Sequence, residues 1–161
     1  MQIEVFNPAY AQGVVDTILP IQREEFGIRI SIDDQPDLKD IPGFYQRGAG
    51  NFWVAVEDDA VIGTIALLDI GNRQAALRKM FVAKPFRGSA RNVARQLLDT
   101  LMQWSRDRGI AQIYLGTTPA FQAAHRFYEK HGFVEIAKEV LPPAFPVMKV
   151  DTKFYLLALA P

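Results

Sequence analysis

At 161 residues, 49% of them apolar, the chain has the size of one compact domain and can bury a core without covalent staples. It has no cysteine, which removes disulfides, thiolate nucleophiles and Cys-based zinc sites together. Lys plus Arg equals Asp plus Glu at 18 each, so no global field draws the chain to nucleic acid or to an anionic membrane.

Met1 to Phe6 include Glu4 and no basic cluster, and they lead into no sustained apolar stretch, so a signal peptide is not expected. The apolar runs Thr64 to Leu68 and Leu156 to Ala160 are much too short to span a bilayer. A soluble, cytoplasmic protein is the expectation.

Ile3, Val5 and the turn at Asn7-Pro8 predict a first strand, followed by a helix with Ala11, Val14, Val15 and Ile18 at helical spacing and Pro20 kinking or ending it. The stretch from Asp16 to Asp40 is acidic, and a solvated helix face explains this more simply than attraction of a cationic amine. Gly27 to Gly50 is broken by Pro36, Pro42, Gly43 and Gly48; Asp37 to Tyr45 is expected to hold a short helix, within either a substrate-side lid or an irregular connection.

Phe52 to Val56 and Val61 to Leu68 are rich in β-branched and aromatic residues and flank Glu57-Asp58-Asp59-Ala60, a hairpin pattern that a strand over Ala75 to Val82 extends into a meander. Ala94, Leu97, Leu98, Leu101 and Met102 then repeat at helical spacing up to a stop at Gly109. Ile110 to Leu115 reads as a buried strand, Thr118-Pro119 as a helix start and His131-Gly132 as its end. Phe133 to Ile136 and Thr152 to Leu159 close the set as strands. Strands with helices inserted between them predict a three-layer α/β arrangement on a mixed sheet.

From Ile70 to Leu98 there are basic residues and no acidic one, and within that stretch Met80 to Ala94 run from a strand through a small-residue turn into the strongest helix. Backbone N–H groups at a helix start point outward and the helix dipole adds partial positive charge there. Gly88, Ser89 and Ala90 let backbone approach a phosphate, and Arg87 and Arg91 can add charged donors. A solvated basic loop capping an ordinary helix through Ser89 or Asn92 satisfies the same residues. The P-loop pattern Gly-Lys-Ser/Thr does not occur, nor does the dinucleotide fingerprint.

Phe86-Arg87-Gly88, the helix with Leu97-Leu98, the strand Ile113-Tyr114-Leu115, and the block Ala124, Tyr128, Gly132 and Phe133 together resemble the GNAT N-acetyltransferase superfamily. The resemblance covers residues 50 to 137 most closely. It implies an α/β fold (α+β in some schemes), an α/β/α sandwich whose mixed, mostly antiparallel sheet is splayed between its fourth and fifth strands, with one N-acetyltransferase domain over 1–161. It also implies acetyl-CoA as cosubstrate, lying between the splayed strands, with Met80, Phe81 and Val82 pairing with its pantetheine amides and a main-chain N–H polarising the thioester carbonyl.

The family loop, Gln/Arg-x-x-Gly-x-Gly/Ala, falls on Ser89-Ala90-Arg91-Asn92-Val93-Ala94 when counted back from Leu97-Leu98. Arg87-Gly88 then stand two residues ahead of it, so the whole run from Arg87 to Ala94 is taken as the pyrophosphate segment. Many members carry an Asn at the position of Phe121, contacting the pantetheine arm; here Phe121 packs or stacks, beside Ala124. Tyr128 matches the family position for the group that protonates or hydrogen-bonds the leaving thiolate, whereas spacing alone makes it a core residue.

The implied reaction is direct attack by a primary amine, from a small molecule or a peptide, without an acyl-enzyme. Glu24, Glu25, Asp37, Asp40, Tyr45, His125 and Glu129 are the candidate bases, directly or through water, and no motif selects among them. His125 is expected on the surface, opposite the Tyr128 face, and no metal is expected because neither histidine has a carboxylate at ligand spacing. A homodimer is left open; nucleic acid and membrane are not expected partners. A non-catalytic acyl-CoA-binding or sensing module with the same fold, and a partner-binding domain with a basic loop, remain as alternatives.

Overall fold

A computed structural model of the chain describes residues 1–88, 90–118 and 122–159. Strands β1 (Gln2–Val5), β2 (Asn51–Glu57), β3 (Ala60–Gly71) and β4 (Gln74–Val82) follow one another as antiparallel neighbours. The β2–β3 turn consists of Asp58 and Asp59, both left-handed at φ 50° and 63°, a geometry that suits the twist of a two-residue hairpin and that short polar side chains tolerate. Beyond β4 come β5 (Gln112–Thr117), β6 (Val134–Ile136) and β7 (Lys153–Ala158), giving the order β1-β2-β3-β4-β5-β7-β6.

Helix α1 (Ala11–Pro20) packs on one face of the sheet. Its regular hydrogen bonding ends at Pro20, and Ile21–Glu25 continue in π-helical form. Two single turns, α2 (Pro36–Lys39) and α3 (Ile41–Phe44), occupy the place where one short helix is expected. Asp40 separates them: its backbone leaves the helical region at φ −145°, ψ 71°, and its carboxylate accepts from Gly43 N at 3.0 Å to cap α3.

Helices α4 (Val93–Asp107) and α5 (Gln122–Lys130) cover the opposite face. The alternation of β2 shows why two layers form: Trp53 and Ala55 join the cluster of Leu97, Leu98 and Leu101, while Phe52, Val54 and Val56 join that of Val14 and Ile18. All three α4 leucines are fully buried, so truncating any one to Ala costs about 2–5 kcal/mol. Gly63 permits the close approach of α4, since a Cβ there would stand 3.2 Å from Leu97. The start foreseen for α5 at Thr118-Pro119 falls partly outside the described residues.

Two irregularities position the site. The only parallel pair in the described sheet, β4 with β5, is held by Gln74–Gln112, Ala75–Ile113 and Ala76–Tyr114 alone; past Ala76 the strands separate. Between Thr64–Phe81 and Ala66–Arg78 the β3–β4 register slips, so Lys79 and Met80 together face Ile65. Lys79 takes the left-handed conformation at φ 53°, and its carbonyl accepts from Thr64 Oγ1 at 2.7 Å. No helix among the described residues is long and apolar enough to cross a membrane.

Candidate active site

Where β4 and β5 separate, a cavity of about 560 Å³ opens. Leu77 to Phe81 line one wall, and Leu115 to Thr118 with Ala124 and Tyr128 of α5 line the other. Ile28, Arg29 and Ile30 close it from the segment after α1, and Phe145, Met148 and Asp151 from the segment before β7.

Tyr128 is 7% exposed and packs edge-on against Phe133, with ring centroids 5.6 Å apart. Burial raises its phenol well above the ordinary range, so it stays protonated and able to donate at neutral pH. Met80 and Phe81 line the cavity from β4, while Val82 lies beyond it and is buried.

None of the described residues from Arg87 to Ala94 touches this cavity; they stand past the end of β4, at the start of α4. Asn92 there is left-handed at φ 54° and places no side-chain cap on the helix, and the first turn of α4 carries no acidic residue. Val93 is buried and Ala94 packs on the core. Gly88 adopts φ 108°, which favours glycine, and its carbonyl accepts from Asn92 N at 3.2 Å, with Ala90 inside the turn so closed. The two arginines already have partners. Arg87 donates to both Glu25 oxygens at 2.6 and 2.9 Å and to the Val82 carbonyl at 2.8 Å, and the Arg87 hydrogen bonds hold the Glu25 carboxyl below its usual range. Arg91 reaches Glu57 at 3.1 Å and lies over the Phe86 ring. Ser89 and Phe121 lie outside the described residues.

Residues 15–133 match the model of the Acetyltransferase (GNAT) family. The chain belongs to this family. A crystal structure described as an acetyltransferase of the GNAT family from Staphylococcus aureus Mu50 superposes with a TM-score of 0.94 at 39% identity, covering 99% of each chain. An acetyltransferase from Streptococcus agalactiae 2603 gives 0.92 at 31%, covering 98% of each. The rat protein N-acetyltransferase 8F1 is 31% identical over 121 residues, which are 72% of this chain and 54% of that protein. The chain spans about half the length of the curated relatives it matches.

The acids and bases foreseen for this GNAT chain are not brought together: none of the seven lines the cavity. Asp37 accepts from the fully buried Tyr45 hydroxyl at 2.6 Å, Asp40 caps α3, Glu25 holds Arg87, and Glu129 accepts from Tyr155 at 2.6 Å. Glu24 is exposed on the π-helical turn. His125 is a correction: it is buried, 9% exposed, with Nε2 2.8 Å from the Thr118 carbonyl. A separation of three residues puts it on the same side of α5 as Tyr128, and β7 covers that side through Tyr155.

Charged residues that the motifs do not select line the cavity instead, among them Arg78, Lys79 and Asp151. Lys79 is 9% exposed at its side chain and donates to Gln35 Oε1 at 2.6 Å, and Gln35 in turn exchanges hydrogen bonds with Gln22. Two consecutive cations inside an otherwise apolar strand break the alternation of β4, and that was the signal of a bulge. For Asp151 no local signal existed, since its place depends on β7 pairing with β5.

Proposed function

We propose that the chain transfers an acetyl group from acetyl-CoA to a primary amine by direct attack, as a single transferase domain over residues 1–161. The observation that carries this reading is the opening of β4 away from β5 beyond Ala76–Tyr114, with Tyr128 on its floor.

The unpaired edge of β4 at Met80 to Val82 offers main-chain groups to the amides of an extended pantetheine arm, as an added strand would use them. At the end of that strand the start of α4, with no side-chain cap, presents free N–H groups and the positive end of the helix dipole to a pyrophosphate. Because Glu25 and Glu57 already engage Arg87 and Arg91, backbone from Gly88 to Ala94 supplies most of the phosphate contacts, and the arginines shape the loop. Ala124, small and facing the cavity, leaves room for the arm.

In the reaction the amine nitrogen bonds to the thioester carbon, a β4 N–H at the bulge stabilises the oxyanion, and the C–S bond breaks. Two protons leave an ammonium as it becomes an amide: one ends on the coenzyme A thiol, delivered through the Tyr128 hydroxyl, and the other passes to solvent.

The test is release of coenzyme A from acetyl-CoA with a panel of amines, together with the melting temperature in the presence of coenzyme A. Acetyl-CoA turnover that depends on an amine supports the reading. A stabilising shift without turnover means a binding module, and no shift at all overturns the cofactor site.

A further inference from the structure

The cavity that holds the reacting end contains two opposite charges that the protein leaves without ionic partners. Arg78 has no carboxylate within 4.0 Å among the described residues, and its one hydrogen-bond contact there is a thioether, Met148 Sδ at 3.6 Å. The guanidinium is nonetheless positioned, lying 5.7 and 5.9 Å from the ring centroids of Phe44 and Tyr45. A guanidinium has five N–H donors, so most of its hydrogen-bonding capacity has no protein partner among the described residues.

Asp151 sits across Met148 from it. Its Oδ2 accepts from Met148 N at 3.0 Å, and it has no ion pair among the described residues. The carboxylate lies so close to β5 that a Cβ at Gly116 would fall 2.6 Å from Oδ2. Burial raises the Asp151 carboxyl above its usual range, with Met148 N and the Arg78 charge opposing, so the group is a better proton acceptor than a free aspartate. Two opposite charges in one cavity ordinarily close on each other; here each is in contact with Met148 instead, Arg78 with its sulfur and Asp151 with its N–H. The other acid lining the cavity, Asp34, is taken up by Ser31 N and Oγ at 2.9 and 3.0 Å, and Arg29 and Lys149 are exposed at its edge. The remaining lining includes Ile28, Ile30 and Phe145.

A cavity with a fixed cation, a fixed anion and an apolar wall is complementary to a zwitterion with an apolar side chain. We propose that the acceptor is a free apolar α-amino acid, its carboxylate bound by Arg78 and its ammonium by Asp151, which takes the proton that nitrogen must lose before attack. This rests on the acetyl-transfer reading above. The proton passes from nitrogen to the Asp151 carboxylate and on to solvent, so the balance of the reaction is unchanged.

The experiment compares L-leucine with L-leucinamide and isoamylamine, which keep the amine and the apolar body and lose the carboxylate, and with a lysine peptide and spermidine. The wild-type protein is expected to acetylate leucine with a kcat/KM at least tenfold above the amide and the amine. Arg78→Gln should raise the KM for leucine about tenfold or more, leave that for acetyl-CoA unchanged, and abolish the preference over leucinamide. Asp151→Asn keeps the acceptor for Met148 N and should lower kcat by about a hundredfold for any amine acceptor. Leucinamide, the peptide or spermidine used as well as leucine, or Arg78→Gln slowing leucine and leucinamide equally, overturns the inference and leaves acetyl transfer standing. Failure of every amine to release coenzyme A overturns both.

Discussion

Lys79 Nζ stands 3.6 Å from Asp37 Oδ2, and both side chains are less than a tenth exposed. Burial lowers the Lys79 ammonium from its ordinary value, with the charge of Asp37 opposing. A cation at this depth on β4 is kept by its partners: Gln35 on one side, and on the other Asp37, itself fixed by Tyr45. Removing one member strands the other, so Lys79→Met or Asp37→Asn is expected to cost about 3–5 kcal/mol, while the double variant loses much less than the sum. Urea unfolding midpoints of the four proteins check this; additive losses would show that the pair is not coupled.

Tyr128→Phe removes one oxygen from a packed aromatic site and leaves the ring contacts with Phe133 and Tyr155 in place. Turnover is expected to fall by about a hundredfold, with affinity for coenzyme A within twofold of the parent. Single-turnover measurement isolates the chemical step, and an unchanged rate there takes Tyr128 out of the mechanism.

Gly116→Ala places a methyl group against the Asp151 carboxylate. The loss of glycine's backbone freedom offsets part of the cost of pressing on Phe154 Cε1 at 3.1 Å, so unfolding stability should fall modestly while the carboxylate is pushed out of position. Acceptor turnover is expected to drop without loss of coenzyme A affinity; equal turnover would mean that Asp151 does not need its place beside β5.

His131 ends α5 with its ring 4.4 Å from that of Phe127. Burial lowers its pKa below the ordinary 6.5, so the folded state binds the proton less well than the unfolded one. Stability from this residue is therefore fully present above about 6.5 and is lost as pH falls through the lower folded value. The melting temperature of the wild type should decline across that window more steeply than that of His131→Asn, and parallel curves would contradict the assignment.

Much of the frame was legible because it rests on local periodicity. Leu97, Leu98 and Leu101 mark the buried face of α4, and the acidic pair at the β2–β3 turn marks the hairpin. Tyr128 was legible only through its block of family residues, since spacing alone makes it a core aromatic. The charged end of the cavity was not. Arg78 and Asp151 line one cavity from segments far apart in sequence, and the segment that carries Asp37 acquires its shape from Tyr45 and Lys79 rather than from its own pattern. His125 was misplaced for a simpler reason: three residues along a helix is nearly a full turn.

The extra residue at Lys79 changes which side chains of β4 meet which layer. Ahead of it Ala75 and Leu77 point to the α4 core; after it Met80 and Val82 do, so the odd positions hand over to the even ones within a single strand. Without the bulge the added residue would turn every later side chain through the sheet, putting Phe81 in place of Met80 on the α4 side. The irregularity is thus as much a part of the cavity wall as any side chain on it, and deletion of Lys79 is predicted to restore regular pairing with Met80 and Val82 still on the α4 side.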